Sequence, residues 1–206
     1  MSNRTMVCKQ AYDFSAKAVL EDGNIAEEFK FKEYIKSKYS VLFFYPLDFT
    51  FVCPTEIIAF SNRIADFQAL NTELIGVSID SHFTHKAWRD TPRNRGGLGQ
   101  INFPLVADIS KSIARDYGVL LDDSIALRAT FVIDRDFVVK HQSINDLPLG
   151  RNVDEVLRII KALQHTEEHG EVCPAGWQEG DSAMLPSSEG VASYLADHLE
   201  EEKETL

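Results

Sequence analysis

The stretch Tyr45-Pro46-Leu47-Asp48-Phe49-Thr50-Phe51-Val52-Cys53-Pro54-Thr55-Glu56 decides how the rest of the chain is read. Just upstream, Val41-Leu42-Phe43-Phe44-Tyr45 is a continuous apolar, aromatic-rich run, the pattern of a strand buried on both faces, and Pro46 stops it. Downstream, Ile57, Phe60, Ile64 and Phe67 recur at spacings of three and four, the stripe of an amphipathic helix expected to reach about Leu70. Cys53 therefore falls at a strand-to-helix junction, directly before a proline suited to the first helical turn. Amides of a first turn lack intrahelical partners and the helix dipole is positive there, so a thiolate at Cys53 would be stabilised.

A lone cysteine is most often a small buried hydrophobe, so context has to carry the chemical reading. Thr50, three residues before Cys53, offers a hydroxyl that can donate to a thiolate or accept from a protonated substrate. Glu56, three residues after, can orient a cation but opposes ionisation of the thiol if left unpaired. A positive charge from elsewhere in the chain is required.

Around this stretch the pattern is one of alternating strands and helices. Residues 12–20 and 25–31 flank Glu21-Asp22-Gly23-Asn24, a hairpin signal at the N terminus. Residues 32–38 read as a polar, charged lead into the central strand. Residues 73–80 form the next buried strand, and Ser81 can cap a helix over residues 82–90. His82 and His85 lie three apart there, but no further ligands follow in a metal-binding spacing, so they read as a solvated helix face. Residues 91–100 form a loop containing Gly96-Gly97-Leu98-Gly99, which lacks the full pattern of a nucleotide-binding loop. Residues 103–108 read as a short strand, 110–117 as a helix stopped by Gly118, and 129–134 and 137–141 as adjacent strands joined by Arg135-Asp136. Residues 154–164, with Val156, Leu157, Ile160 and Leu163, form the last helix of the body. This order predicts an α/β thioredoxin-like fold with an N-terminal β-hairpin extension. A domain at residues 1–165 is then followed by a C-terminal arm and helix at residues 166–206. In the arm, Val191, Tyr194, Leu195 and Leu199 make a helical stripe.

Composition narrows the function. A chain of 206 residues, 44% hydrophobic, can bury a sizeable core. The formal net charge of −11 argues against nucleic acid as a partner. Eleven acids against one base from Thr166 onward place −10 of that charge in the tail, with Glu200-Glu201-Glu202 a solvated end. The first residues lack the apolar core of a signal peptide and no stretch is long enough to span a membrane, which predicts a soluble, cytoplasmic protein. Cys8, Cys53 and Cys173 are too few and too scattered for a disulfide framework, so catalytic or redox use fits better, with Cys8 incidental.

Two motifs carry a family resemblance. Pro46, Thr50 and Cys53, within Phe49-Thr50-Phe51-Val52-Cys53-Pro54, resemble the active-site motif of the typical 2-Cys peroxiredoxins, the group that includes the peroxidase component of alkyl hydroperoxide reductase and the thioredoxin peroxidases. Val172-Cys173-Pro174-Ala175-Gly176-Trp177 resembles the same group's resolving-cysteine motif. The resemblance implies a thiol peroxidase that reduces hydrogen peroxide and organic hydroperoxides with no metal and no organic cofactor. Cys53 would become a sulfenic acid. Cys173 of a second subunit would then close a disulfide with it, in a homodimer and rings of dimers such as a decamer. Thioredoxin or a dedicated flavoprotein reductase would reopen that disulfide. Arg128, otherwise an ordinary strand-end charge, occupies the place of the arginine that holds thiolate and peroxide. Thr50 and first-turn amides would add donors, and Pro46 would shield the sulfur from water. The Gly-Gly-Leu-Gly loop of eukaryotic-type members accompanies a C-terminal Tyr-Phe helix that covers the active-site turn. Here Tyr194 is followed by Leu195, so only half of that pair is present: the C-terminal stripe either packs on the body or acts as such a lid, and as a lid it implies intermediate sensitivity to over-oxidation. A holdase chaperone or peroxide-signalling role is an added possibility in the family, and simple disulfide exchange is disfavoured because no Cys-x-x-Cys is present.

Overall fold

A computed structural model describes residues 5–203, with side chains as far as Asp197. The chain divides into two compact units, Met1–Val153 and Asp154–Leu206. In the first unit the strands are β1 (Ser15–Val19), β2 (Ile25–Lys30), β3 (Tyr39–Phe44), β4 (Thr72–Ser78), β5 (Leu105–Ala107), β6 (Leu120–Leu121), β7 (Ile125–Ala126), β8 (Arg128–Ile133) and β9 (Val139–Asn145). The helices between them are α1 (Phe31–Ile35), α2 (Cys53–Asn62), α3 (Ile64–Ala69), α4 (His82–Asp90) and α5 (Ser112–Asp116).

Among the described residues a seven-stranded sheet runs in the order β2-β1-β5-β4-β3-β8-β9, with β6 and β7 a separate small hairpin. β3, β4 and β5 are parallel and joined through helices, the βαβ arrangement that the alternating pattern predicted. β8 and β9 continue the sheet antiparallel on the other side of β3. Every residue of β3 is buried, as expected for a strand covered on both faces. Leu42 and Phe44 join a core cluster with Ile75, Val77, Phe131 and Ile133. Phe43 points to the opposite face, where its ring stacks on Phe60 of α2 with centroids 4.6 Å apart.

The N-terminal hairpin turns where the Asp-Gly signal placed it: Gly23 has φ +86° and the Asn24 amide donates to Asp22 Oδ1 at 2.8 Å. Its first strand pairs with β5, so the hairpin is built into the sheet edge. Ser81 caps α4 as predicted, accepting from the Thr84 amide at 3.1 Å. Three expectations need correction. The segment after the hairpin is not a plain polar lead, because Phe31 and Ile35 bury themselves one turn apart and form α1. The helix expected from residue 53 to about 70 is broken at Arg63, whose backbone leaves the helical region (φ −103°, ψ 12°) after Asn62, a weak helix former. His82 and His85 do not face solvent: both are buried.

The second unit contains α6 (Val153–His169), which begins at the boundary residue, and α7 (Ser188–Lys203). Between them lies an irregular strap that carries Cys173 and makes one β-bridge, Val172 with Met184. Of the predicted apolar stripe on α7, Val191 and Leu195 are exposed and Tyr194 is half-buried. Leu199, Glu200, Glu201 and Glu202 lie outside the described residues as far as their side chains are concerned. No helix among the described residues is long and apolar enough to cross a membrane.

Close packing around β3 supplies a test. A Cβ added at Gly76 of β4 would lie 2.9 Å from Leu105 Cδ2 and 3.0 Å from Phe43 Cζ. Gly76→Ala is expected to destabilise the protein by about 1–3 kcal/mol through overpacking, read as a lower urea midpoint at unchanged m-value.

Candidate active site

The loop from Pro46 to Val52 leaves the end of β3 and returns the chain into α2, so the strand and helix dictated by the apolar patterns deliver Cys53 to the first position of the helix. Cys53 is fully buried. Two side-chain donors reach its sulfur: Thr50 Oγ1 at 3.0 Å and Arg128 Nη1 at 3.3 Å. The Thr50 hydroxyl also lies 2.9 Å from the Leu47 carbonyl, so its one proton can serve either the loop or the sulfur. Pro46 is buried at the head of the loop.

Part of the first turn is committed elsewhere. The amides of Thr55 and Glu56 donate to the Val52 carbonyl at 3.0 and 3.3 Å, and Pro54 has no N–H to give. The donors recorded at the sulfur are the side chains of Thr50 and Arg128. Arg128, the first residue of β8, is 4% exposed and is aimed by two further bonds, Nε to the Leu147 carbonyl at 2.6 Å and Nη1 to Glu56 Oε2 at 2.7 Å.

Glu56 is the hub of this cluster, and Arg151 is its second cation. Arg151 donates from Nε and from its own amide to Glu56 Oε1 at 2.8 and 2.9 Å, and from Nη2 to Oε2 at 2.9 Å. Its Nη1 bonds the carbonyls of Phe44 at 2.9 Å and Ala129 at 2.8 Å. The guanidinium also lies 5.1 Å from the Phe43 ring centroid. Sequence reasoning did not name Arg151. The signal was present in the requirement that Glu56, so near a thiol, be paired with positive charge, but nothing in a single sequence says which arginine the fold brings there. Burial disfavours the ionised form of Glu56, yet the hydrogen bonds and charge of Arg151, with Arg128 behind them, outweigh it and hold the carboxyl below its ordinary value.

Cys173 belongs to the second unit and is half-buried on the strap. Its Sγ lies 3.6 Å from the Ala162 carbonyl and 3.8 Å from Thr166 Oγ1, both on α6. The strap is fastened on either side. Glu171 bonds His165 Nε2 at 2.8 Å, and buried Trp177 accepts from Arg158 Nη1 at 3.2 Å through its carbonyl. Cys8 is exposed, and no cysteine of the chain is in a disulfide. Among the described residues no group of three or more His, Cys, Asp or Glu side chains is arranged to hold a metal ion.

Comparison with known proteins follows the same outline. The sequence profile of the AhpC/TSA family matches residues 7–142, and that of the C-terminal domain of 1-Cys peroxiredoxin matches residues 162–196. The chain is 55% identical over 193 residues to alkyl hydroperoxide reductase C of Helicobacter pylori strain ATCC 700392 / 26695, covering 94% of this chain and 98% of that protein. It is 54% identical over 198 residues to peroxiredoxin-2 of Macaca fascicularis, covering 96% of this chain and 98% of that one. Among solved structures, reduced 2-Cys peroxiredoxin of Plasmodium vivax superposes with a TM-score of 0.91 at 52% identity, covering 93% of this chain and 99% of its own.

Glu56→Gln removes the charge on which both guanidinium groups depend and leaves Arg151 buried without its counter-ion. A loss of about 3 kcal/mol is expected at neutral pH. A carboxylate whose folded value is depressed contributes fully above its unfolded value of about 4.3 and loses that contribution as pH falls through the lower folded value. Urea curves of wild type and variant should therefore differ widely at pH 7 and draw together as pH falls below the unfolded value and on through the lower folded one.

Proposed function

This chain belongs to the AhpC/TSA family, and from that premise we propose that it is a thiol-specific peroxidase in which Cys53 attacks the O–O bond of hydrogen peroxide or an organic hydroperoxide. The observation that carries the reading is a fully buried sulfur receiving two charge-stabilising donors, Thr50 Oγ1 and Arg128 Nη1. The thiolate sulfur bonds to one peroxide oxygen while the O–O bond breaks. The leaving oxygen takes a proton and departs as water or alcohol, and Cys53 is left as the sulfenic acid. Arg128 stays charged throughout and holds its donors in a fixed fork, so it can serve the sulfur and then the leaving oxygen without reorganisation. Thr50 can turn its hydroxyl from the Leu47 carbonyl to donate a hydrogen bond to a peroxide oxygen. Pro46, buried and without an N–H, keeps an apolar wall on the loop side.

Cys173 of a second copy is the proposed resolving thiol. Its sulfur displaces hydroxide from the sulfenic acid, which leaves as water, and an intersubunit disulfide remains. Half-exposure and weak contacts to Ala162 and Thr166 suit a thiol that has to leave its seat. The smallest competent unit is then a homodimer, with rings of dimers built from it, in a reducing compartment such as the cytoplasm. A thioredoxin-type dithiol or a flavoprotein reductase supplies the two electrons that reopen the disulfide. In this reading residues 1–165 are the peroxidase body and residues 166–206 the resolving arm.

Cys53→Ser is expected to abolish peroxide consumption, whereas Cys173→Ser should consume one equivalent per chain and stop. After one equivalent of peroxide, the wild type on a non-reducing gel should run as a dimer whose cross-linked peptide contains Cys53 and Cys173. Peroxide consumption that survives Cys53→Ser would sink the proposal.

A further inference from the structure

The loop that precedes Cys53 also holds a second buried polar cluster, which makes no hydrogen bond to the sulfur. Asp48 sits midway between Pro46 and Thr50, and its side chain is 1% exposed. Asp48 Oδ1 accepts from the Tyr45 hydroxyl at 2.9 Å, and Oδ2 lies 2.7 Å from Nδ1 of His85, whose side chain is wholly buried. The other ring nitrogen of His85 lies 3.2 Å from the Val106 carbonyl, so the imidazole is held at both ends between the loop and the sheet. The Asp48 amide donates to Asp80 Oδ2 at 2.9 Å, an oxygen that also accepts from Ser78 Oγ at 2.9 Å beyond the end of β4.

α4 takes hold of the next residue too. Trp88, one turn after His85, packs on Phe49 with ring centroids 5.7 Å apart. Phe49 itself is in the left-handed region at φ +54°, a conformation that costs an L-residue on the order of 1 kcal/mol and persists only where its surroundings impose it. Two consecutive loop residues, one with a strained backbone, are thus pinned to one helix. The following residue is Thr50, whose hydroxyl bonds the Leu47 carbonyl and the Cys53 sulfur. A shift of Asp48 therefore moves Leu47 on one side and Thr50 on the other.

We propose that Asp48 and His85 are positioning residues for the peroxide step: the buried pair fixes the loop that presents Thr50 and Pro46 to Cys53. The inference rests on Cys53 being the attacking thiol and adds to that reading a requirement outside the sulfur's own contacts. Neither residue bonds Sγ, Arg128 or Glu56, so the pair acts on the donors and not on the reacting atoms. A merely structural pair would stabilise the fold without favouring either chemical step. A positioning pair separates the steps, because reaction with peroxide needs Thr50 in place whereas disulfide formation requires the turn to come apart.

The test uses the full-length protein and resolves the two steps by stopped flow, following sulfenic acid formation and then disulfide formation, with thermal stability measured alongside. His85→Leu and Asp48→Asn are expected to lower the second-order rate with hydrogen peroxide by about tenfold or more, the scale of a misplaced catalytic group. Disulfide formation should be unchanged or faster. His85→Gln, which can still donate to Asp48, should recover part of the peroxide rate. Val139→Ala, a core truncation in β9, is the control: it should lower stability while leaving both rates within about twofold, since its cost comes from a distant cavity. If His85→Leu does not fold, Asp80→Ala, which removes the bonds from the Asp48 amide and the Ser78 hydroxyl but leaves the Asp48–His85 pair in place, carries the test with a smaller loss confined to the peroxide step. Folded variants with an undiminished peroxide rate, or with both steps slowed together in proportion to lost stability, would overturn the proposal. A wild type that does not react with peroxide at all would instead overturn the assignment of Cys53.

Discussion

A single buried carboxylate makes the rest of the site possible. Two guanidinium groups gathered on one carboxylate, each nearly excluded from water, repel one another and cost several kcal/mol per ion to desolvate. Glu56 lies between them, 2.7 Å from Arg128 and 2.8 Å from Arg151, and its two oxygens accept four bonds from the pair. The cluster thereby carries one net positive charge, and that excess is presented on the side of Arg128 that faces Cys53. Glu56 does not repel the thiolate so much as determine which cation meets it. Arg151 spends its remaining donors on the Phe44 and Ala129 carbonyls, so the cluster is fastened to the edges of both strands from which the loop and Arg128 emerge.

Sheet topology explains why such distant residues meet. β3 and β8 are neighbours in the antiparallel register that pairs Phe43 with Thr130, which brings Arg128 level with the end of β3 where the loop departs. The helix that follows must cross back over the sheet to start β4 in parallel, and this sends its first turn over the same edge. Cys53 and Arg128 are thus brought together by backbone pairing before any side chain chooses a rotamer. The polar bonds then select orientation.

Much of this was legible in the residues themselves. The run at residues 41–45 with the three-and-four spacing beyond it announced a buried strand feeding a helix, and Ser81 announced the start of α4, because burial and capping act within a few residues. What escaped were features decided by distant partners. α1 was hidden because it is a single turn in which only Phe31 and Ile35 are buried, and the break at Arg63 leaves no mark on a stripe that resumes beyond it. His85 read as a surface residue because its partner Asp48 lies 37 positions away and Val106 on another strand. Arg151 was missed for the same reason, 95 positions from Glu56. The helix N-terminus marked the right cysteine, but not that the Thr55 and Glu56 amides turn to the Val52 carbonyl or that two side chains donate to the sulfur.

The proposed cycle places opposite demands on one helical turn. Folded, the turn holds Cys53 against Thr50 and Arg128; to reach another cysteine it must let a fully buried sulfur out, since a disulfide tolerates Cα separations of only about 4.4–6.8 Å. The local energetics are graded to suit. α2 starts at Val52 without any side-chain cap, forgoing the roughly 1 kcal/mol that a serine or aspartate would contribute there. Phe51 is 93% exposed and resists nothing when the chain swings. At the other end of the turn, Glu56 is bolted to Arg151 and through it to two strands. Fraying from the N-terminus should therefore proceed through Val52 to Thr55 and stop at Glu56, whose ion pairs cost more to break than the bonds of the turn. The carboxylate that aims Arg128 at the sulfur also limits how much of the helix is lost when the sulfur departs.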